Sequence, residues 1–311
     1  MASPSAYYMR NQALKAAMRS PNPPPLAPTR EVVASHCQNL GIPVTYEELP
    51  DCEGAGIHWI GDRSPKTVML YIHGGGLQLP ALPGHVEFAV QTQRLMNSEG
   101  KSFALAFLEY GLTPQHKYPV QQIHAINAVN YLLSSGREAS EIVIAGDSAG
   151  GALAISILAA SLHQFPGVPS LELTSPLKGV ILICPMVTFS TSAPSYKRNA
   201  DNDWVIPEAG AAFVDALAAP PAGSMLSEPL RGAAKDWAGA PVKSILSLAG
   251  GYECFLDDIE AFVKVLEEAG LNVKKVVCPE QGHIECILDA QTKLEPRSMT
   301  TAIWDWLRET L

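Results

Sequence analysis

Long apolar runs are missing from this 311-residue chain. The longest apolar stretch, around Ala152 to Leu162, is too short and too interrupted to span a bilayer. The opening Met1-Ala2-Ser3-Pro4-Ser5-Ala6-Tyr7-Tyr8 lacks the continuous apolar core of a signal peptide, so no export is expected. Positive charge is scarce as well: 22 Lys and Arg stand against 31 Asp and Glu, a net charge of −9. Binding nucleic acid needs a clustered basic face, and none is visible. The six cysteines, Cys37, Cys52, Cys184, Cys254, Cys278 and Cys286, show no C-x-x-C spacing, which removes the usual zinc-site pattern. No Asn-x-Ser/Thr triplet accompanies them, and reduced thiols in a cytoplasmic protein with neither metal nor organic cofactor are the expectation.

Hydrophobic residues, by contrast, make up 47% of the chain, which at this length can bury a large core. They fall in short runs alternating with helix-like segments: Thr67–Ile72, Phe103–Leu108, Glu141–Ala145, Gly179–Cys184, Ser244–Ala249 and Val273–Cys278 read as strands. Ile123, Ile126, Val129 and Leu133 mark one face of a helix, and Ile303, Trp306 and Leu307 one face of a last helix. The alternation predicts a mostly parallel central sheet with helices on both faces and functional loops at the carboxyl ends of the strands.

Gly146-Asp147-Ser148-Ala149-Gly150 follows one of these strands directly and runs into the apolar Gly151–Leu158. A serine hydroxyl attacks a carbonyl only when a base takes its proton, so it must stand clear of the backbone, and a tight strand-to-helix turn with small flanking residues does that. His73-Gly74-Gly75-Gly76 follows another strand, and consecutive glycines leave amides uncovered where an oxyanion could be held. Gly75, Gly76 and Ala149 are the expected oxyanion donors, with His73 and Gly74 supporting the loop.

A base and an acid should follow the serine in the order acid, then histidine. His283 lies in the loop after Val273–Cys278 and is expected to be exposed there. The loop after Ser244–Ala249 offers Glu253, Asp257 and Asp258; Glu253 is nearest the strand end and is preferred, because Asp257 and Asp258 suit the start of a helix by charge alone. His36, His58, His85, His116, His124 and His163 lie away from strand ends and are expected to be structural.

The combination of His73–Gly76, Glu109-Tyr110-Gly111-Leu112-Thr113-Pro114, Gly146–Gly151 and Gly282-His283 resembles the hormone-sensitive-lipase-like branch of the α/β-hydrolases, over a span from about Thr67 to the C-terminus. The resemblance implies the α/β-hydrolase fold with a helical cap and a serine carboxylesterase acting through an acyl-enzyme on a small-molecule ester. Glu253-Cys254-Phe255-Leu256-Asp257-Asp258 is similar to the family's acid segment with Glu in place of the usual Asp. Leu77 stands where the family commonly has an aromatic residue, and Glu109-Tyr110-Gly111 where it has Asp-Tyr-Arg. Parts of the chain also resemble fungal esterases of secondary-metabolite pathways.

The segment 1–42 and the insertion 188–241 stand outside the alternation of the 43–311 catalytic domain, and the resemblance makes them the cap. Met18, Leu77, Trp204 and Phe213 are then candidates to line the substrate pocket, although packing of cap on core explains Met18, Trp204 and Phe213 equally well. The same residues allow an amide or thioester hydrolase, and the fold also serves as a non-catalytic receptor. Substrate, and monomer or homodimer, stay open.

Overall fold

The computed structural model describes residues 5–20, 25–206, 215, 217 and 223–311. Eight strands, β1 (Val44–Glu48), β2 (Gly56–Ile60), β3 (Val68–Ile72), β4 (Ala104–Glu109), β5 (Ile142–Asp147), β6 (Gly179–Ile183), β7 (Ile245–Gly250) and β8 (Val273–Cys278), form one sheet. Its order is β1-β2-β4-β3-β5-β6-β7-β8. The six expected strands pair in parallel, and β1 and β2 extend the sheet antiparallel at one edge. These two were not legible as strands: β1, Val-Thr-Tyr-Glu-Glu, is a half-exposed edge, and β2 carries Gly56 and His58 in a fully buried run.

Side chains alternate between the two faces with the period of 2 that a strand imposes. Val68, Leu70 and Ile72 of β3 join Ala104, Ala106 and Leu108 of β4 and Ile142 and Ile144 of β5 in one core cluster. Met69, Tyr71, Leu105, Phe107, Val143 and Ala145 fill the other. Helices α4 (Val120–Ser134), α5 (Ala149–Leu162) and α7 (Leu256–Glu268) cover the first face. The opposite face is covered by α2 (Thr29–Leu40), α3 (Pro83–Ser98), α8 (Glu285–Thr292) and α9 (Ser298–Thr310). Residues 149–160 of α5 are buried on every side, which accounts for its lack of a polar stripe. In α7 the buried Leu256, Ile259, Phe262, Val263 and Leu266 keep helical spacing, with Asp257 and Asp258 in the first turn where the helix dipole favours them.

The N-terminal segment divides in two. Helix α2 belongs to the core, with Val33 and Cys37 fully buried against α3. Helix α1 (Ala6–Met18), capped by the Ser5 hydroxyl, instead clasps the surface: Arg10 pairs with Glu285 and Asp289 of α8, and Lys15 donates to the Ala200 carbonyl. Within 188–241, a short helix α6 (Pro194–Arg198) lies against the start of α7, where Asp257 accepts from the Ser195 amide and Arg198. Of residues 207–222 only Asp215 and Leu217 are described; Phe213, a pocket candidate, lies outside the described residues. All six cysteines are buried and unpaired. No helix among the described residues is long and apolar enough to cross a membrane.

The first turn of α5 passes directly beneath the end of β3. A Cβ on Gly150 would lie 2.1 Å from the Ile72 carbonyl oxygen and 2.6 Å from that of His73, both backbone atoms that no side-chain rotation can clear. Gly150→Ala is therefore expected to lose about 2–3 kcal/mol or more, by overpacking, read as a lower urea midpoint with an unchanged slope.

Candidate active site

Strand β5 ends at Asp147, and the chain turns into α5 within one residue. Ser148 makes that turn with φ +52° and ψ −118°, a conformation that a non-glycine residue holds only when its surroundings enforce it. Enforcement comes from the Ser148 amide donating to the Ile183 carbonyl (2.9 Å) and the Ser148 carbonyl accepting from Met186 (3.0 Å), which tie the turn to the end of β6. A side chain at Gly146 would strike the Gly150 carbonyl at 2.4 Å, so the turn closes only on glycine. The serine side chain forms no hydrogen bond with its own helix and keeps some solvent contact, at 9% exposed.

Beside it runs the glycine loop. Gly75 has φ +108° and comes so near Leu79 that a Cβ would meet its carbonyl at 2.7 Å, while the Gly75 carbonyl accepts from Leu79 N at 2.8 Å. The amides of Gly75, Gly76 and Ala149 have no acceptor among the described residues. Gly74 is different: its amide donates to Asp147 Oδ1 at 3.1 Å, which fastens the loop to the residue before the serine. The same carboxylate accepts the Tyr71 hydroxyl (3.0 Å) and His85 Nε2 (3.2 Å). His85 Nδ1 accepts from Leu82 N, so Nε2 carries the proton that Asp147 receives. Burial would raise the Asp147 pKa, but His85 and Tyr71 outweigh it and hold the carboxyl below its ordinary value.

His73 donates through Nδ1 to the Gly74 carbonyl (2.7 Å) and stacks on Tyr110 at 4.5 Å, whose hydroxyl donates to the His73 carbonyl. Burial, then the neighbouring His85, pushes its pKa down to about 4, so it is neutral.

On the next two strands the loops after β7 and β8 bring a carboxylate and an imidazole together. His283 Nδ1 donates to Glu253 Oε1 at 2.6 Å, and Glu253 Oε2 accepts from Gly250 N at 2.9 Å. Asp257 is turned away to Ser195 and Arg198. The imidazole is 2% exposed rather than exposed, because Phe255 meets its ring edge to face at 4.8 Å and Trp204 lies 5.6 Å away. Burial alone would lower the His283 pKa; the hydrogen bond and charge of Glu253, then Asp203 and Asp147, reverse that and raise it. Nε2 has no hydrogen-bond partner among the described residues and is not bonded to Ser148 Oγ here, an ordinary feature of sites without substrate.

Cys184 bridges the two halves. It follows Ile183, whose carbonyl accepts from the Ser148 amide; its Sγ accepts from Ile284 N at 3.3 Å and lies within 4.8 Å of the facing Glu253 and His283 atoms. Thiol, imidazole and carboxylate are metal-ligand types, but burial and the charge of Glu253 push the Cys184 thiol well above its ordinary pKa. A metal requires the thiolate and a deprotonated imidazole nitrogen, so this group fits a hydrogen-bonded cluster better than an ion.

Of the pocket candidates, Trp204 donates its indole N–H to the His283 carbonyl at 2.9 Å, beside the site. Leu77, at φ +61°, is 2% exposed and packed among core residues, with its carbonyl accepting from Thr113. Met18 is half-buried on the last turn of α1. His36 and His58 pair with Glu87 and Glu109 at 2.7 Å each, His124 accepts from Gly111 N, His163 meets the Asp236 carbonyl and His116 packs on His124. No site role was expected for Asp147, Cys184 or Asp203, and His85, expected to be structural, braces the Asp147 carboxylate. Asp147 alone carried a signal, as the acid inside the serine turn.

The profile of the α/β hydrolase fold family matches residues 69–286. The chain is 27% identical over 285 residues to an esterase of Acinetobacter venetianus, covering 86% of this chain and 84% of that one. It is 29% identical over 236 residues to the esterase LipI of Mycobacterium tuberculosis, covering 71% and 67%. A crystal structure of an esterase from the bacterial hormone-sensitive lipase family superposes with a TM-score of 0.74 at 21% identity, over 99% of each chain.

Asp147→Ala strands the buried Tyr71 hydroxyl, the Gly74 amide and the His85 ring at once. A loss of about 3–5 kcal/mol is expected from breaking this buried pair, measured by urea denaturation; a loss below about 1 kcal/mol would show that water replaces the carboxylate.

Proposed function

The chain belongs to the α/β-hydrolase fold family, and from that membership we propose that it is a serine carboxylesterase working through an acyl-enzyme. The observation that carries this reading is the 2.6 Å bond between Glu253 and His283, on the two loops that follow β7 and β8 beside the serine turn. The esterase names of relatives that cover most of this chain support it. With Nδ1–H held by Glu253, the neutral imidazole presents Nε2 as a base. It takes the Ser148 proton as Oγ attacks the ester carbonyl. Negative charge builds on the carbonyl oxygen, and the amides of Gly75, Gly76 and Ala149 are the donors proposed to hold it. The imidazolium, stabilised by Glu253, protonates the departing alcohol, and water then cleaves the acyl-serine by the reverse route.

The rings of Trp204 and Phe255 beside the imidazole favour an apolar group on the ester near His283. A small-acyl ester, with the bulk in the alcohol, is the substrate class proposed. No residue of the scheme calls for a metal or organic cofactor.

Hydrolysis of p-nitrophenyl esters from acetate to decanoate, run beside Ser148→Ala, tests the scheme. Turnover best at short acyl length and lost by a factor on the order of 10⁴ or more in the variant is expected; a variant that retains turnover would refute the serine mechanism.

The pH profile tests the base. A raised His283 pKa means the neutral, active imidazole predominates only at higher pH, so kcat/KM should rise along an acid limb centred above the ordinary value of about 6.5. A limb centred below that value would remove His283 from the role. Since Glu253 is fully buried, His283→Ala should also lower stability, by about 1–3 kcal/mol.

A further inference from the structure

Asp203 belongs to no strand or helix and to no expected site, yet it is fully buried between the two loops that carry the acid and the base. Its Oδ1 accepts from the amides of Trp204 at 2.8 Å and His283 at 3.1 Å, and its Oδ2 from the amide of Cys254 at 2.8 Å. Among the described residues all three partners are backbone N–H groups. The residue after the acid and the base itself thus hang on one carboxylate. Neighbours on the same segment add to the hold: Asn199 donates to the Glu253 carbonyl at 2.7 Å, and Trp204 Nε1 to the His283 carbonyl at 2.9 Å.

We propose that Asp203 is a positioning residue for His283, one buried carboxylate that ties the backbone of the base to the loop of the acid and so keeps the Glu253–His283 bond closed. This rests on the serine-esterase reading above. Rotation about the backbone at 283 or 254 would open the 2.6 Å contact, and two of the three amides that Asp203 binds lie at those positions. A structural cross-link could equally be made by an uncharged acceptor. Here it is an acid placed where its charge also acts on the imidazole.

Burial, helped by Glu253, pushes the Asp203 carboxyl up to about 6, while the His283 charge and the amides pull it down, so it is ionised at neutral pH. The other groups facing this pair are Asp147 from β5, the thiols of Cys184 and Cys254, Tyr196 from α6 and Lys15 from α1. Among all of these groups, Glu253 and then Asp203 act most strongly on His283. Removing the Asp203 charge lowers the pKa of the base.

The test compares Asp203→Asn with Asn199→Ala, which cuts the neighbouring bonds of the same segment without removing charge. Both full-length variants are assayed on p-nitrophenyl acetate from pH 5 to 9, beside Ser148→Ala. Asp203→Asn should lower kcat on the order of tenfold or more, by misplacing the base, with KM within about twofold. Its acid limb of kcat/KM should move down on the order of half a pH unit, whereas Asn199→Ala should leave the limb in place. An unmoved limb with unchanged kcat in Asp203→Asn, or the same loss and the same limb in both variants, overturns the inference. Should Asp203→Asn not fold, Asp203→Glu keeps the charge and shifts the carboxylate: kcat should fall with the limb at its wild-type position, and an unchanged kcat overturns the inference. Turnover surviving in Ser148→Ala would instead sink the esterase reading itself, an outcome separate from a flat Asp203 result with an inactive serine variant.

Discussion

A single buried carboxylate, Asp147, makes the serine turn and the glycine loop one object. The two segments lie far apart in the chain, and neither could hold its shape alone: Ser148 has a positive φ, and His73–Gly76 is nearly bare of side chains. The bonds from Gly74 N, Tyr71 Oη and His85 Nε2 to Asp147 fix the loop against β5. The charge is tolerated without solvent because three donors satisfy it and His85 hands it a proton-bearing nitrogen. Parallel pairing of β3 with β5 sets the approach that makes those contacts reachable.

The opposite half of the site is built by the same device with different chemistry. Asp203 accepts from the backbone amides of Trp204, Cys254 and His283, and its carboxyl is pushed up to about 6 where that of Asp147 is held down. The contrast follows from the partners. Asp147 accepts from a histidine ring and a tyrosine hydroxyl, whereas beside Asp203 the carboxylate of Glu253 adds like charge to burial, so the second acid lies nearer to protonation. Between the two halves stands Cys184, a thiol small enough to sit beneath the Glu253–His283 pair and, at its raised pKa, neutral enough not to repel the carboxylate.

The six parallel strands were legible because each is an unbroken apolar run ending in small or turn-forming residues, and strand ends in a parallel sheet fall on one side. The serine, glutamate and histidine candidates were legible by the same logic, since each sits just beyond such an end. What escaped depends on tertiary geometry. β1 and β2 carry Tyr46, Glu47, Gly56 and His58, a mixture no periodicity separates from loop. Asp203 lies in Asn-Ala-Asp-Asn-Asp, where one acid looks like the next; nothing local distinguishes the fully buried residue from Asp201, which is exposed. The burial of His283 was missed for the same reason, because Trp204 and Phe255 come from segments remote from its own loop.

Burying the His283 imidazole has a consequence for the N-terminal helix. Helix α8, which begins two residues after His283, carries Glu285 and Asp289, which are buried at 1% exposure each and would be costly unpaired. Arg297 covers part of this charge from the same end of the chain, and Arg10 of α1 covers the rest, both guanidinium groups lying against the Tyr7 ring. Asn11 adds a bond to Glu285 Oε1, the oxygen that also accepts from Gly282 N beside the imidazole. The route from α1 to the imidazole is therefore short and wholly polar: Asn11, Glu285, the 282 amide, His283. A helix that sequence patterning places outside the catalytic domain is, by charge compensation, part of what keeps the histidine loop in place.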